Sequence, residues 1–155
     1  LSEGMLIYAP HANSYHRFHR DSYAPVNSSW GYNNRTVSFR IPANTGNDIR
    51  IEHRIAGADA NPYLLVAAML SGIYHGLKKK NLPPPPIEGN AYLQKNNELP
   101  TTWEEARKCF KNAEILPEYL GKDFCNLFSN LKLGEQSRFL SKINPLEYDW
   151  YLKTV

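Results

Sequence analysis

Residues 50–64 read RIEHRIAGADANPYL, and this stretch decides the fold because a strand-like pattern changes within it to the start of a helix. Successive side chains of a strand point to opposite faces. Arg50, Glu52 and Arg54 therefore share one face, and the two residues between them share the other. The stretch predicts a strand that carries three charges on a single face.

A second strand is predicted just upstream. Residues 36–41 alternate between apolar and polar side chains, and Val37, Phe39 and Ile41 fall on one face. The link PANTGND at 42–48 is rich in turn-forming residues and joins the two strands. We therefore expect a β-hairpin.

The hairpin is expected to place its charged side chains on one face of the sheet. Arg40 falls on the polar face of the first strand, so we expect it to line a solvent-accessible cleft with the three charged residues of the second strand. The side chains expected to be buried behind this face are isoleucines: Ile41, Ile49 and Ile51.

Downstream, residues 59–80 predict a long helix. Asn61 is the expected N-cap and Pro62 the first helical position. Apolar residues lie on both sides of this helix, so we expect it to be buried. Three lysines at 78–80 suit the C-terminal end, where the helix dipole favours cations.

The rest of the chain predicts a helical tail. Residues 82–100 form a Pro-rich connection, after which Thr102 and Glu105 make a capping box for a short helix. Nothing in the tail assembles a catalytic set, so we assign it a structural role. Further helices are expected over 122–132, 135–142 and 145–153.

Together these elements give the fold class α+β, with antiparallel strands followed by a helical tail. A length of 155 residues suits a single domain. We divide it into a strand-rich part at 1–60, which holds the candidate site, and a helical part at 61–155 that includes the Pro-rich connection.

Composition excludes several classes of protein. A hydrophobic content of 42% is typical of a globular chain, and no apolar run approaches the roughly 18–20 residues that span a bilayer. We expect a soluble, cytoplasmic protein whose Cys109 and Cys125 are reduced thiols. A net charge of +3 is too small to indicate nucleic-acid binding.

The distribution of positive charge is more informative. All ten lysines lie at position 78 or later, whereas six of the eight arginines lie between 17 and 54. Arginine presents a planar fork that grips carboxylate and phosphate through two hydrogen bonds. The arginine-rich half therefore favours an anionic ligand.

Two interpretations of the charged face remain open. The row from Arg50 to Arg54 could be an exposed cross-strand charge ladder that contributes little. Alternatively, the arginines bind a multiply anionic ligand while Glu52 holds a hard divalent cation on its phosphate oxygens. A single carboxylate cannot make a magnesium site, so further ligands would have to come from elsewhere.

Three motifs resemble a known family. NSYHRF at 13–18, APVNSSWGYNNRTVSFRIP at 24–42 and RIEHRIAGADANPYLLVAAML at 50–70 are similar, in order and spacing, to the C-terminal part of the catalytic domain of glutamine synthetases. YLGKDFCNLF and EYDWYLK in the tail resemble the γ-glutamylpolyamine (γ-glutamylputrescine) synthetase branch. The resemblance implies the same fold.

It also implies roles around the substrate glutamate. Arg17, in the NSYxR motif, falls on an arginine that contacts glutamate, and Arg54, in the RxExR motif, falls on the arginine that binds a glutamate carboxylate. Glu52 falls on a metal-ligand position, for Mg²⁺ or Mn²⁺.

Three further arginines fall on positions that the family uses for ATP. Arg35 and Arg40 match arginines near the ATP phosphates and the transferred phosphoryl group, which gives Arg35 a catalytic role. Arg50 matches a family arginine on the phosphate side.

The sequence departs from the ammonia-using members at two positions. Where they carry a glutamate that binds ammonium, this chain has Tyr23, which we expect to contact a larger amine such as putrescine. A lysine at the ATP site aligns with Asn47. The other metal-binding carboxylates have no counterpart here.

The resemblance implies an ATP-dependent ligase that joins glutamate to an amine through γ-glutamyl phosphate. We expect the 155 residues alone to be inactive and the parent protein to form a ring-shaped homo-oligomer, with no nucleic-acid or membrane partner. An ammonia-using glutamine synthetase and a non-catalytic relative are the alternatives.

Overall fold

The computed structural model describes residues 1–43, 49–94 and 98–154. Its strands and α-helices are numbered in chain order. The strands are β1 (Trp30–Tyr32), β2 (Phe39–Ile41) and β3 (Glu52–His53). The α-helices are α1 (Met5–Tyr8), α2 (Pro62–Lys79), α3 (Trp103–Lys111), α4 (Leu116–Leu120), α5 (Lys122–Leu140) and α6 (Pro145–Tyr151). Short 3-10 turns cover Ser2–Gly4, Ala12–Arg17 and Ala91–Leu93.

The three strands form one small sheet in the order β1-β2-β3. β2 and β3 pair antiparallel, with Arg40 opposite Glu52, as the hairpin predicts. β1 pairs parallel to β2, which corrects the expectation of antiparallel strands only. The reason lies in residues 33–38, which loop outward and bring the chain back to the start of β1. The link predicted at 42–48 falls largely outside the described residues.

The hydrophobic core is mostly helical. The four residues of α1 are each at most 4% exposed, although the helix has barely one turn. α3 contributes Ala106 and Phe110, and α5 contributes Phe128, whose ring lies 5.3 Å from that of Phe110. The sheet contacts this core through α1, where the Tyr8 ring lies 4.6 Å from that of His53.

Helix α2 begins as predicted but is not buried. The Asn61 side chain accepts hydrogen bonds from the backbone N–H groups of Tyr63 and Leu64, and Pro62 follows it. Within the helix only Ala68 and Ser71 are buried, because α1 and α4 cover a single side. The expectation of a buried helix is wrong for this chain. Its exposed apolar residues are Tyr63, Val66, Leu70, Ile73, Tyr74 and Leu77.

The tail is helical, with one difference from the prediction. Thr102 and Glu105 form the predicted capping box at the start of α3. α5 continues through Gly134, so the two helices expected there are one. Cys109 and Cys125 are both free thiols, and burial raises the pKa of each. None of the described helices has the length and apolarity needed to cross a membrane.

The Glu3 carboxylate ties the start of the chain to this tail. Its oxygens accept hydrogen bonds from the backbone N–H groups of Glu114 at 3.1 Å, Ile115 at 3.0 Å and Leu116 at 3.0 Å. Leu116 is the first residue of α4, so Glu3 caps a helix more than a hundred residues away. Such a contact satisfies N–H groups that a helix leaves unpaired at its start.

Replacing this cap should destabilise the protein. We expect Glu3→Ala to lower the free energy of unfolding by about 1–2 kcal/mol, the usual cost of losing a helix cap. Denaturant unfolding measures this loss of free energy. Glu114→Ala is the matched control, because that carboxylate is exposed and its side chain makes no hydrogen bond within the described residues. Equal stability of Glu3→Ala and Glu114→Ala would contradict the capping role.

Candidate functional site

A carboxylate held between two guanidinium groups forms the centre of the charged face. Glu52 Oε2 accepts a hydrogen bond from Arg40 Nη1 at 3.0 Å, and Glu52 Oε1 accepts one from Arg54 Nη1 at 2.7 Å. The arginine side chains are 18% and 16% exposed, and that of Glu52 is 36% exposed. The β2–β3 register places Arg40 opposite Glu52, and strand alternation places Arg54 two residues further on the same side.

The far end of each guanidinium is fixed by a loop. Arg40 Nη2 donates to Asn33 Oδ1 at 3.0 Å, and Arg54 Nη2 donates to the Tyr23 carbonyl at 2.9 Å. Asn33 and Tyr23 both adopt left-handed backbone conformations, with φ of 47° and 59°. Each arginine is thus held at two points, which limits the conformations that it can adopt.

Both arginines retain donors for a ligand. Arg40 Nε and Arg54 Nε are buried and make no hydrogen bond to any described residue. A guanidinium carries five N–H donors, and buried donors are normally paired. Since these Nε atoms are enclosed, the donors left for the oxygen atoms of an anion are the second N–H groups of Nη1 and Nη2, each of which makes one described hydrogen bond.

Arg17 lies directly behind this cluster. Its Nη1 donates to the Arg54 carbonyl at 3.4 Å, its Nη2 donates to the Ile55 carbonyl, and its guanidinium lies 4.4 Å from the centre of the Phe18 ring. Burial lowers the pKa of Arg17, and Asp59 acts in the opposite direction. In this structure Arg17 therefore holds the backbone that follows β3.

Arg35 lies apart from the carboxylate, in a cleft of about 550 Å³ beside the Pro-rich connection. The cleft is shaped by Asn34, whose side chain donates to the carbonyls of Ile87 at 3.1 Å and Gly89 at 2.8 Å. Gly31 permits this approach, since a Cβ there would lie 2.6 Å from the Ile87 oxygen. Arg35 is exposed and makes no hydrogen bond to a described residue.

The structure thus brings together some of the predicted site residues and separates others. Arg50 is exposed, lies before the start of β3 and has no salt bridge to a described residue. Asn47, which aligns with the family lysine, lies outside the described residues. The residues that meet at the sheet are Arg17, Tyr23, Arg40, Glu52 and Arg54.

Asn33 is a site residue that the sequence analysis did not predict. It links the cleft of Arg35 to the carboxylate cluster, because its side chain accepts from Arg40 while its own backbone lines the cleft. Asparagine tolerates the left-handed conformation better than most residues. The Asn-Asn pair at 33–34 was the available signal.

The residues behind the charged face differ from those predicted. Ile49 and Ile51 are 75% and 64% exposed, and Ile41 is half-buried, so the expectation that these isoleucines are buried is wrong. β3 contains only two residues, and the segment before it has left the sheet. Phe39 and His53 cover the back of the sheet instead.

His53 is enclosed by aromatic rings. Its ring lies 4.6 Å from that of Tyr8 and 5.4 Å from that of Phe39, and neither ring nitrogen has a partner among the described residues. Burial lowers its pKa to about 4, with smaller effects of the Leu1 amino group and Arg17. A neutral imidazole therefore supports the strand that carries Glu52.

This burial predicts a pH dependence of stability. Unfolded histidine titrates near 6.5, so between pH 6.5 and about 4 the unfolded chain binds a proton that the folded chain does not. Falling pH should destabilise the metal-free protein in this window by up to about 1.4 kcal/mol per pH unit.

Denaturant unfolding in chelator at several pH values measures this contribution. His53→Phe should flatten the dependence, whereas His16→Gln, at an exposed position, should leave it unchanged. Identical slopes for wild type and His53→Phe would show that His53 is already free to protonate in the folded state.

The charged face lacks most of the ligands that a divalent cation needs among the described residues. No group of three or more His, Cys, Asp or Glu side chains suited to a metal occurs within the described ranges. Glu52 offers one carboxylate, and both of its oxygens are already ion-paired. Because Mg²⁺ requires octahedral coordination by oxygen, these residues do not by themselves fit a metal site.

Comparison with known proteins decides the family. A model of the glutamine synthetase catalytic domain matches residues 1–151. The chain belongs to the glutamine synthetase family. The solved structure of ligand-free GmaS, at 26% sequence identity, has a TM-score of 0.83 over 98% of this chain and 35% of that chain. This similarity confirms the predicted α+β fold and the C-terminal part of the catalytic domain.

Several relatives are ligases that act on amines. A γ-glutamylputrescine synthetase of Escherichia coli, PuuA, is 40% identical over 99% of this chain and 32% of its own length. A glutamate–isopropylamine ligase of a Pseudomonas species is 40% identical over 96% of this chain and 33% of its own length. A γ-glutamylethanolamide synthetase of Streptomyces coelicolor is 35% identical over 99% and 32%. The chain thus spans about a third of the length of these relatives.

Proposed function

We propose that this chain is part of an ATP-dependent carbon–nitrogen ligase that joins the γ-carboxylate of glutamate to an amine. The observation that carries the proposal is the cluster of Arg40, Glu52 and Arg54, whose guanidinium groups are fixed at both ends and keep Nη N–H donors that no described residue uses. Membership of the glutamine synthetase family and the amine-ligase names of the relatives support it.

The proposed reaction has two steps. The γ-carboxylate of glutamate attacks the γ-phosphorus of ATP, ADP leaves, and γ-glutamyl phosphate forms. The amine nitrogen then attacks the acyl carbon, phosphate leaves, and the amine loses a proton. Developing charge on the phosphoryl oxygens is what fixed guanidinium groups stabilise in reactions of this class.

Roles for the individual residues follow from the family motifs and from their positions. Arg54 is proposed to bind the glutamate carboxylate through donors not used by Glu52 and Tyr23, with Arg17 holding the same segment from behind.

The phosphate side is assigned to three further arginines. Arg35 and Asn33 line the same cleft, and Asn33 accepts a hydrogen bond from Arg40, which supports placing the phosphoryl group between the two arginines. Arg50 is proposed to contact phosphate from the exposed segment before β3.

Glu52 is proposed as one ligand of a Mg²⁺ or Mn²⁺ ion. Because the described residues supply a single suitable carboxylate, the remaining ligands would belong to polypeptide outside these residues. Within this chain, the role of Glu52 is to hold Arg40 and Arg54 in place. A cytoplasmic location and a ring-shaped homo-oligomer are part of the same proposal.

A polyamine such as putrescine is our proposed acceptor, and ammonia is the second candidate. Ammonium needs a nearby anion, and Tyr23 has none to offer. Tyr23 is 66% exposed and its carbonyl is bonded to Arg54, so its ring is free to flank an alkyl chain or an ammonium group. The γ-glutamylputrescine synthetase among the relatives favours the larger amine.

Substitutions in the full-length protein test the ligase assignment. Glu52→Ala should abolish ATP- and glutamate-dependent phosphate release, because it leaves Arg40 and Arg54 without the carboxylate that fixes them. Arg35→Ala should lower the rate at least tenfold, since an oriented arginine on a transferring phosphoryl group is worth several kcal/mol.

Two controls accompany these variants. Arg138→Ala and Glu147→Ala remove exposed charges from α5 and α6 and should leave the rate unchanged. We expect the 155-residue chain alone to release no phosphate. Near-native rates for both Glu52→Ala and Arg35→Ala would reject the proposed roles.

Acceptor competition tests the amine. With ATP, Mg²⁺ and glutamate supplied to the full-length protein, we expect a higher kcat/KM for putrescine than for ammonium. Tyr23→Ala should raise the KM for putrescine by about two- to thirtyfold, the range that loss of a cation–π contact of about 0.5–2 kcal/mol allows. If ammonium matches or exceeds every amine tested, the polyamine assignment fails and the ligase assignment stands.

A further inference from the structure

A single hydroxyl organises the loop formed by residues 19–24. Ser22 Oγ lies 2.7 Å from the Arg17 carbonyl oxygen and 2.6 Å from the His19 carbonyl oxygen, between which its proton is shared. The same oxygen accepts a hydrogen bond from the backbone N–H of Ala24 at 3.1 Å. Ser22 therefore joins both ends of the loop through its side chain.

The backbone on each side of Ser22 needs such support. Asp21 and Tyr23 have φ values of 66° and 59°, in the left-handed region that side-chain-bearing residues rarely adopt. Conformations of this kind persist where surrounding contacts hold them. Within the loop, the Ser22 hydroxyl supplies those contacts, since the only backbone hydrogen bond across the described loop, from Ser22 N to the His19 carbonyl, is 3.4 Å long.

The loop controls what lies beside Arg54. Its left-handed turn at Tyr23 directs the Tyr23 carbonyl to Arg54 Nη2 at 2.9 Å and leaves the phenol ring mostly exposed. At the other end, Arg17 donates to the carbonyls of Arg54 and Ile55. Ser22 bonds the carbonyl of Arg17, so one hydroxyl connects both attachments of the loop to the site.

We infer that Ser22 is a positioning residue for the acceptor amine: its hydroxyl holds the loop in the conformation that bonds the Tyr23 carbonyl to Arg54 and leaves the Tyr23 ring exposed. The inference rests on the proposed function, because it gives Tyr23 a place next to the bound glutamate. Ser22 itself is half-buried and acts through the backbone of its neighbours. Alanine removes all three hydrogen bonds, whereas threonine keeps the hydroxyl.

Steady-state kinetics of the full-length protein test the positioning role. With putrescine as the probe, Ser22→Ala should raise the KM for the amine at least fivefold while the KM for ATP and the thermal unfolding midpoint stay unchanged. Ser22→Thr should restore most of the wild-type KM. Ser137→Ala, at an exposed serine of α5, is the matched control and should have no effect.

Limited proteolysis measures how well residues 19–24 are ordered, and it does not require ligase activity. Arg20 is exposed within the loop, so trypsin cleavage between Arg20 and Asp21, identified by fragment mass, should be several-fold faster in Ser22→Ala than in wild type or Ser22→Thr. Wild-type ligase activity with an unchanged amine KM in Ser22→Ala overturns the inference and leaves the proposed function intact. A wild-type protein without ligase activity overturns both.

Discussion

The ion pairs of Glu52 with Arg40 and Arg54 are the contact on which the arrangement of the site depends. Two neighbouring guanidinium groups repel each other. The carboxylate between them offsets this repulsion and fixes their positions through its two ion pairs. The β2–β3 pairing supplies the spacing, since it places Arg40 opposite Glu52. A slip of one residue would turn the carboxylate toward the aromatic rings behind the sheet. Register and charge pairing therefore support each other.

A sheet of eight strand residues is too small to be stable alone, so it depends on packing against a helix. His53 makes that contact. It follows Glu52 in β3, and its ring lies between Phe39 of the sheet and Tyr8 of the buried helix α1. α1 in turn contacts α2 and α3. The charged face thus stands on an apolar layer whose members come from several parts of the chain.

The sequence predicted those features that depend on neighbours within a few residues. Alternation gave the charged face and the pairing of β2 with β3, and Asn61 with Pro62 gave the start of α2. Burial was predicted less well. Ile51 is exposed because β3 is shorter than the alternating pattern, and α2 is exposed because it has partners on one side only. Whether an apolar residue is buried depends on what lies against it, and local pattern does not contain that information.

The loops were the least predictable part of the site, although they fix both arginines. Asn33 and Tyr23 both have left-handed backbone conformations, and both bond an arginine. These conformations depend on hydrogen bonds that form only in the folded chain. No periodic pattern marks such residues. The Asn-Asn pair is a weak sequence signal for the turn at Asn33. The role of Ser22 has no sequence signal, because it depends on hydrogen bonds that its hydroxyl forms across the folded loop.

The charge balance of the cluster supports an anionic ligand over a purely structural ladder. Two guanidinium groups, of Arg40 and Arg54, share the single carboxylate of Glu52 and are partly buried, whereas Arg17 behind them has Asp59 as a counter-charge. A ladder that served stability alone would gain from a second acid, because partly buried cations without counter-charges are costly. The Nη1 and Nη2 atoms of both arginines each keep one N–H that no described residue accepts. Carboxylate or phosphate oxygens would satisfy the excess charge and the unpaired donors together, which explains why the fold keeps both.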